Sequence, residues 1–219
     1  MSVAAPVSLQ IIREVSPGSV LTVPDVTWED YEELLEEVGE ASGVRISYCD
    51  GTLQIMTLSA KHEYYARLIE RFINALSLRL QIKVLFYGST TMRKKRKRKG
   101  LEPDACFYIQ SADRLHNKLE IDFATDPPPD IVVEIDIHHG SILKFPIYAA
   151  LEIPEVWVWD EQQLAIFQLQ GESYRTVEAS LALPMLTSNT LTEFLSRAQQ
   201  EDQHEILLAF DEWLKAQQQ

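Results

Sequence analysis

The chain has 219 residues, 46% of them hydrophobic and 24% charged, with a formal net charge of −13. That length suits one compact domain with a small appendage at most, and the apolar share is enough for a core. No run of 18 or more apolar residues occurs, which predicts no transmembrane helix, and so acidic a body excludes nucleic-acid binding through overall charge.

The first ten residues lack a basic stretch before their short apolar run, so they read poorly as a signal peptide. Cys49 and Cys106 are far apart in sequence and fit a reduced, cytoplasmic protein. Residues 1–26 read as an irregular lead-in, 27–198 as the domain and 199–219 as a C-terminal helical segment.

Thr27 with Asp30 predicts a capping box, opening a helix over Trp28 to Val38 with Tyr31, Leu34, Leu35 and Val38 as its apolar stripe. Gly39 is its stop signal. Val44 to Cys49 and Thr52 to Leu58 alternate apolar and polar residues around Asp50-Gly51, a strong hairpin signal. Ser59 caps a long helix through Leu80, striped by Tyr65, Leu68, Ile69, Phe72, Ile73, Leu76 and Leu80.

Ile82 to Tyr87 reads as a strand, then Gly88-Ser89-Thr90-Thr91. Arg93, Lys94, Lys95, Arg96, Lys97, Arg98 and Lys99 follow as seven consecutive basic residues, so the rest of the chain carries about −20, from −13 minus seven. Any grip on nucleic acid must come through this run, which reads equally well as a solvated, self-repelling loop. Strands follow over Pro103 to Ile109 and, after the stiff Asp126-Pro-Pro-Pro129, over Asp130 to Ile137. Ser141 to Leu151 is a short helix with Pro146 near its first turn. Glu155 to Asp160, Leu164 to Leu169 and Tyr174 to Val177 are further strands, and Thr190 to Ala198 and Glu205 to Lys215 are helices. Helices on both sides of a mixed sheet give an α/β (α+β) class.

Period-two alternation puts Val132, Glu134 and Asp136 on one strand face, and Asp104, Cys106 and Tyr108 on one face of the earlier strand. If the strands are neighbours, Asp104 and Glu134 converge. Bare carboxylates in a sheet are costly unless a cation or hydrogen-bond partner meets them. Two of them in a cleft suit a hard cation such as Mg²⁺ or Mn²⁺. Lys144 sits where the helix dipole disfavours a cation, and alone it reads as a surface lysine whose stem reaches solvent. Beside Asp104 and Glu134 it completes the minimal parts for metal-assisted phosphodiester cleavage. His138 and His139 read as loop histidines facing water, and the four tryptophans as structural. There is no glycine-rich phosphate loop, nucleophile elbow or Cys/His zinc spacing.

The ordered set Trp28-Glu-Asp-Tyr-Glu-Glu-Leu, Asp50-Gly51-Thr-Leu-Gln-Ile-Met, Lys61-His62-Glu63, Gly88-Ser-Thr-Thr, Glu102-Pro103-Asp104, Pro129-Asp130-Ile-Val-Val-Glu134-Ile-Asp136, Lys144 with Ile147-Tyr148, and Pro154-Glu155-Val-Trp157 resembles the "Uma-two" family of putative restriction endonucleases. That family lies within the PD-(D/E)xK nuclease superfamily, and the resemblance runs from Thr27 to about Leu195. It implies a restriction-endonuclease-like mixed sheet flanked by helices, with an N-terminal helix and β-hairpin extension. It implies Asp104 and Glu134 as metal ligands, and Lys144 in the role of the superfamily lysine, whose usual position is taken here by Asp136. His62 and Glu63 correspond to a place where related nucleases put an extra polar site residue. The resemblance also implies Mg²⁺ or Mn²⁺ as cofactor, DNA as partner, a homodimer and no membrane. Three readings stay open: a metal-dependent endonuclease, a non-catalytic DNA- or protein-binding module on the same fold, and a protein whose Lys144 and Glu134 form a structural salt bridge.

Overall fold

The computed structural model describes residues 16–39, 43–115, 118–137 and 144–218. In chain order, β1 (Val20–Val23), α1 (Trp28–Val38), β2 (Val44–Cys49), β3 (Thr52–Thr57), α2 (Ala60–Leu80), β4 (Leu85–Phe86), β5 (Met92–Lys94) and β6 (Lys99–Leu101) come first. They are followed by β7 (Ala105–Tyr108), β8 (Ile131–Ile135), α3 (Phe145–Leu151), β9 (Glu155–Trp159), β10 (Leu164–Gln170), β11 (Ser173–Val177), α4 (Ser188–Arg197) and α5 (Gln203–Ala216). The class is mixed α+β, with two sheets among the described residues.

The N-terminal sheet has the order β1-β3-β2-β6-β5. The reciprocal Thr27–Asp30 capping box opens α1. Asp50 and Gly51 take φ of 48° and 98°, the left-handed pair that a two-residue hairpin turn requires. α1 lays Trp28, Tyr31 and Leu34 onto Ile46, Tyr48, Leu53 and Ile55 of the hairpin. A Cβ on Gly100 would run into the Tyr31 ring, with Cε1 and Cζ at 3.0 Å, so only glycine lets β6 lie under α1.

The second sheet has the order β11-β10-β9-β8-β7-β4, with β8 and β9 parallel and its other pairs antiparallel. α2 buries its stripe against Ala105, Phe107, Ile131, Val133, Ile135, Trp157 and Trp159 on one face, joined there by α4 and α5. On the other face α3 sets Ile147, Tyr148 and Leu151 against Cys106, Val132, Val156 and Val158. The alternation expected for the two carboxylate strands is therefore the one observed, and Trp157 and Trp159 are core.

Several expectations are corrected. Residues 16–26 are not all irregular, because β1 pairs with β3 along its length. The expected strand over Ile82 to Tyr87 shrinks to two residues, since the end of α2 holds Ile82: its amide donates to the Ser77 carbonyl at 3.0 Å and its carbonyl accepts from the Ser77 hydroxyl at 2.7 Å. β8 stops at Ile135, so Asp136 lies one residue past the strand. Lys144 is the residue capping α3 rather than part of its first turn. The N-terminal extension is larger than a helix and hairpin, because β1, β5 and β6 join it.

The basic run is not a loop either. It forms β5, a 3-10 turn over Lys95–Lys97 and β6, because acidic neighbours neutralise much of it. Lys99 meets Asp50 at 2.6 Å, Lys94 meets Glu152 at 2.8 Å, Lys95 meets Glu32 at 3.4 Å and Arg93 meets Glu32 at 3.8 Å. Arg98 donates to the Tyr48 hydroxyl at 3.2 Å, leaving the exposed Arg96 and Lys97 without an ion pair among the described residues. Residues 138–143, with His138, His139, Gly140 and the expected helix start at Ser141, and the lead-in over 1–15 lie outside the described residues.

Candidate active site

β7 and β8 pair with Ala105 opposite Val133, and the Asp104 amide extends the ladder by donating to the Val133 carbonyl at 3.0 Å. That register sets Asp104 beside Glu134, and both are buried. One oxygen of Asp104, Oδ2, accepts from the Ile135 amide at 2.8 Å. The other, Oδ1, faces Arg45 Nε at 3.7 Å. Glu134 is held at both oxygens: Lys144 Nζ lies 2.8 Å from Oε2, and the Tyr148 hydroxyl donates to Oε1. Lys144 and Tyr148 are four residues apart, one turn along the start of α3, so the two meet the same carboxylate.

Burial pushes the Asp104 and Glu134 carboxyls above their ordinary range, against the pull of Lys144 on each. Burial also pulls Lys144 down, but Glu134 and Asp104 together hold it above its ordinary value, so it stays charged. Half-buried Glu102, just ahead of Asp104, accepts from the Thr91 hydroxyl at 2.7 Å, and burial raises its carboxyl too. Arg45 crosses from β2 of the other sheet and reaches Glu63 Oε1 on α2 at 3.5 Å. Cys106, deep beneath the site, has its thiol pushed up to about 12 by burial and is no nucleophile.

Of the residues expected from sequence, Asp104, Glu134 and Lys144 come together, and Glu63 joins them through Arg45. His62 is buried, with Nδ1 2.9 Å from the hydroxyl of Ser59, the residue that caps α2. Asp136 is half-buried, its amide donating to the Trp159 carbonyl at 2.7 Å. The basic run feeds directly into the site through β6, since only Glu102 and Pro103 separate Leu101 from Asp104.

Arg45, Glu102 and Tyr148 were missed. Glu102 adjoins the aspartate, and Tyr148 stands at helical spacing from Lys144, so both had a signal. Arg45 had none, because alternation along β2 does not say which other strand its polar face meets.

Two further buried carboxylates have another character. Asp130 Oδ2 accepts from the Ile109 amide at 2.6 Å, the Ser111 amide at 3.1 Å and the Ser111 hydroxyl at 2.9 Å. Glu155 accepts from Trp157 Nε1 and the Ser180 hydroxyl, each at 2.6 Å, and from the Leu181 amide at 2.5 Å. Both are satisfied by neutral donors and pin local structure.

Among the described residues no group of three or more His, Cys, Asp or Glu is arranged to hold a metal. Two carboxylates nonetheless suit Mg²⁺, which keeps waters and takes phosphate oxygens besides one or two protein carboxylates. Around the site the carboxyls of Glu63, Glu102, Asp104 and Glu134 outnumber the cations Arg45 and Lys144, with Arg67 also reaching Glu63. A surface hollow of about 310 Å³ lined by Arg67, Glu70, Arg71, Asn74 and Phe86 contains none of these groups. No helix among the described residues is long and apolar enough to cross a membrane.

No curated protein matches the chain. A solved structure from Anabaena variabilis ATCC 29413, titled as a putative nuclease belonging to DUF820, is similar at a TM-score of 0.54 and 18% identity, over 78% of this chain and 99% of that one. At that identity the likeness shows the fold. Residues 28–200 match the Uma2 family, described as "Putative restriction endonuclease". With that match covering most of its length, the chain belongs to the Uma2 family of putative restriction endonucleases.

Proposed function

We propose that this protein is a metal-dependent DNA endonuclease that hydrolyses phosphodiester bonds at the Asp104–Glu134–Lys144 cluster. The observation that carries the reading is a half-buried ammonium, Lys144, meeting one of two adjacent buried carboxylates 2.8 Å away, in a pocket where carboxyls outnumber cations. Asp104 and Glu134 would hold Mg²⁺ or Mn²⁺, and such an ion supplies Lewis acidity and a more acidic bound water.

The chain's own groups do the rest. Tyr148 fixes one Glu134 oxygen, so the other stays turned towards Lys144. The Ile135 amide fixes Asp104 in the same way. Lys144, held charged, orients the attacking water or takes up charge growing on the phosphoryl oxygens. The water oxygen bonds to phosphorus as it gives up one proton to solvent, the P–O bond to the leaving oxygen breaks, and that oxygen takes a proton from solvent and departs as the alcohol. The basic run, continuous with the strand before Asp104, supplies phosphate contacts through Arg96, Lys97 and whichever paired cations the DNA frees. A homodimer in the cytoplasm belongs to the same reading, since double-strand cleavage needs two sites.

Supercoiled plasmid incubated with the protein in EDTA, Mg²⁺ and Mn²⁺, beside Asp104→Asn, tests this. Nicking or linearisation that needs metal and vanishes in the variant is the expected result. Equal cleavage by the variant overturns it. The closed Lys144–Glu134 pair also favours a second reading, a purely structural ion pair. A thermal midpoint that no divalent ion raises is the result that reading requires.

A further inference from the structure

Arg45 is the odd member of the cluster. Its side chain is 10% exposed, yet none of its contacts is short. Asp104 Oδ1 lies 3.7 Å from Nε, Glu63 Oε1 lies 3.5 Å from Nη2, and its neighbour's carbonyl at Val44 lies 3.4 Å from Nη1. Charge-assisted N–H···O bonds run at about 2.7–2.9 Å. Nε is buried with no hydrogen-bond partner among the described residues. Glu63 is moreover shared, since Arg67 Nε also reaches it, at 3.4 Å.

A nearly buried guanidinium whose Nε is unfilled and whose other contacts are long is costly, and the surrounding fold holds it there. Val44 and Ile46, on either side of it, are locked into the core under α1. Its planar fork matches the oxygens of a phosphate, which a lysine's single ammonium does not. Its guanidinium spans from the buried Asp104, at 2%, to Glu63, which at 44% reaches solvent.

We infer that Arg45 is the phosphate-binding residue of this site, closing its fork on non-bridging oxygens of the nucleic-acid backbone, an inference that rests on the nuclease reading above. The N-terminal sheet thereby contributes a substrate contact to a site whose carboxylates and lysine belong to the other sheet. The excess negative charge makes this conditional. Phosphate is repelled until a divalent cation neutralises Asp104 and Glu134, so binding is ordered, cation first.

The probe is thymidine 3′,5′-bisphosphate, which presents phosphate without needing a recognition sequence. Calorimetric titration compares the full-length protein with Arg45→Gln and Arg45→Lys, each in Mg²⁺ and in EDTA. The wild type is expected to bind in Mg²⁺ and not in EDTA. Arg45→Gln should weaken binding roughly ten- to hundredfold, the worth of hydrogen bonds to a charged group, and Arg45→Lys should fall between. If Arg45→Gln does not fold, Arg45→Lys decides alone, because it keeps charge and stem but loses the fork. Affinity within threefold of wild type in the folded variants overturns the inference, as does a wild type that ignores the bisphosphate in Mg²⁺. Either failure leaves plasmid cleavage standing or falling by its own assay, so the two readings fail separately.

Discussion

Glu134 and Glu155 lie on adjacent strands, β8 and β9, of one sheet, and both are fully buried. Glu155 meets an indole N–H, a hydroxyl and a backbone amide, all neutral and all at 2.6 Å or less. Glu134 meets an ammonium and a phenol, beside a second carboxylate and a guanidinium that bonds nothing closely. The first arrangement is complete as it stands and tethers the 180–183 turn to the sheet. The second holds charge that the protein alone does not balance. Buried carboxylates in this fold thus divide by what faces them, neutral donors at Glu155 and Asp130, charged side chains at Glu134 and Asp104.

Removing the ammonium from the mismatched pair gives the largest expected effect. Lys144→Ala should lower metal-dependent cleavage roughly 10²- to 10³-fold, the scale for losing one charged group aimed at the transition state. Its stability loss should also depend on pH. Without Lys144 the Glu134 carboxyl, already above its ordinary 4.5, rises further in the folded state than in the unfolded. The folded state then binds the extra proton, so stability is greatest on the acid side and falls as pH climbs from about 4.5 through the raised value. Urea unfolding at pH 5 and pH 8 reads this: a variant deficit that is equal at both would break the comparison.

Glu155→Gln should do the reverse, leaving cleavage per folded molecule unchanged while destabilising by about 1–3 kcal/mol. The new amide turns a donor towards groups that are themselves donors. Urea midpoints with a plasmid assay on the same preparation check both halves, and lost cleavage in folded protein would move Glu155 into the site. Asp130→Asn is the mildest change. Oδ2 alone accepts all three hydrogen bonds, so an amide carbonyl in its place keeps them. The loss should stay near or below about 1 kcal/mol by the same denaturation.

What the sequence made legible follows the range of the interactions. The capping box of α1, the Asp50-Gly51 turn and the stripe of α2 depend on residues a few places apart, and all were read from pattern. β1 was not, because Val20–Val23 is a strand only by virtue of β3 beside it. The basic run misled for the same reason: seven like charges repel in isolation, and the carboxylates that order them come from α1, the hairpin turn and the end of α3. In the site, alternation placed Asp104 and Glu134 on facing positions. Lys144 needed Asp104 and Glu134 beside it, since taken alone it reads as a surface lysine; the family resemblance then supplied its role. Arg45 needed the tertiary fold, because only the placing of β2 beside the start of β7 aims it.

Gly100 has a bearing on how this protein tolerates change. It carries no charge, and its backbone lies against Tyr31 of the acidic helix, next in sequence to the basic turn. Yet Tyr31 fills the space where any side chain there would begin. A search for inactivating substitutions, blind to structure, should therefore return this glycine together with the carboxylates. Single substitutions in the basic turn should cost less in such a screen, because several cations there share the phosphate contacts.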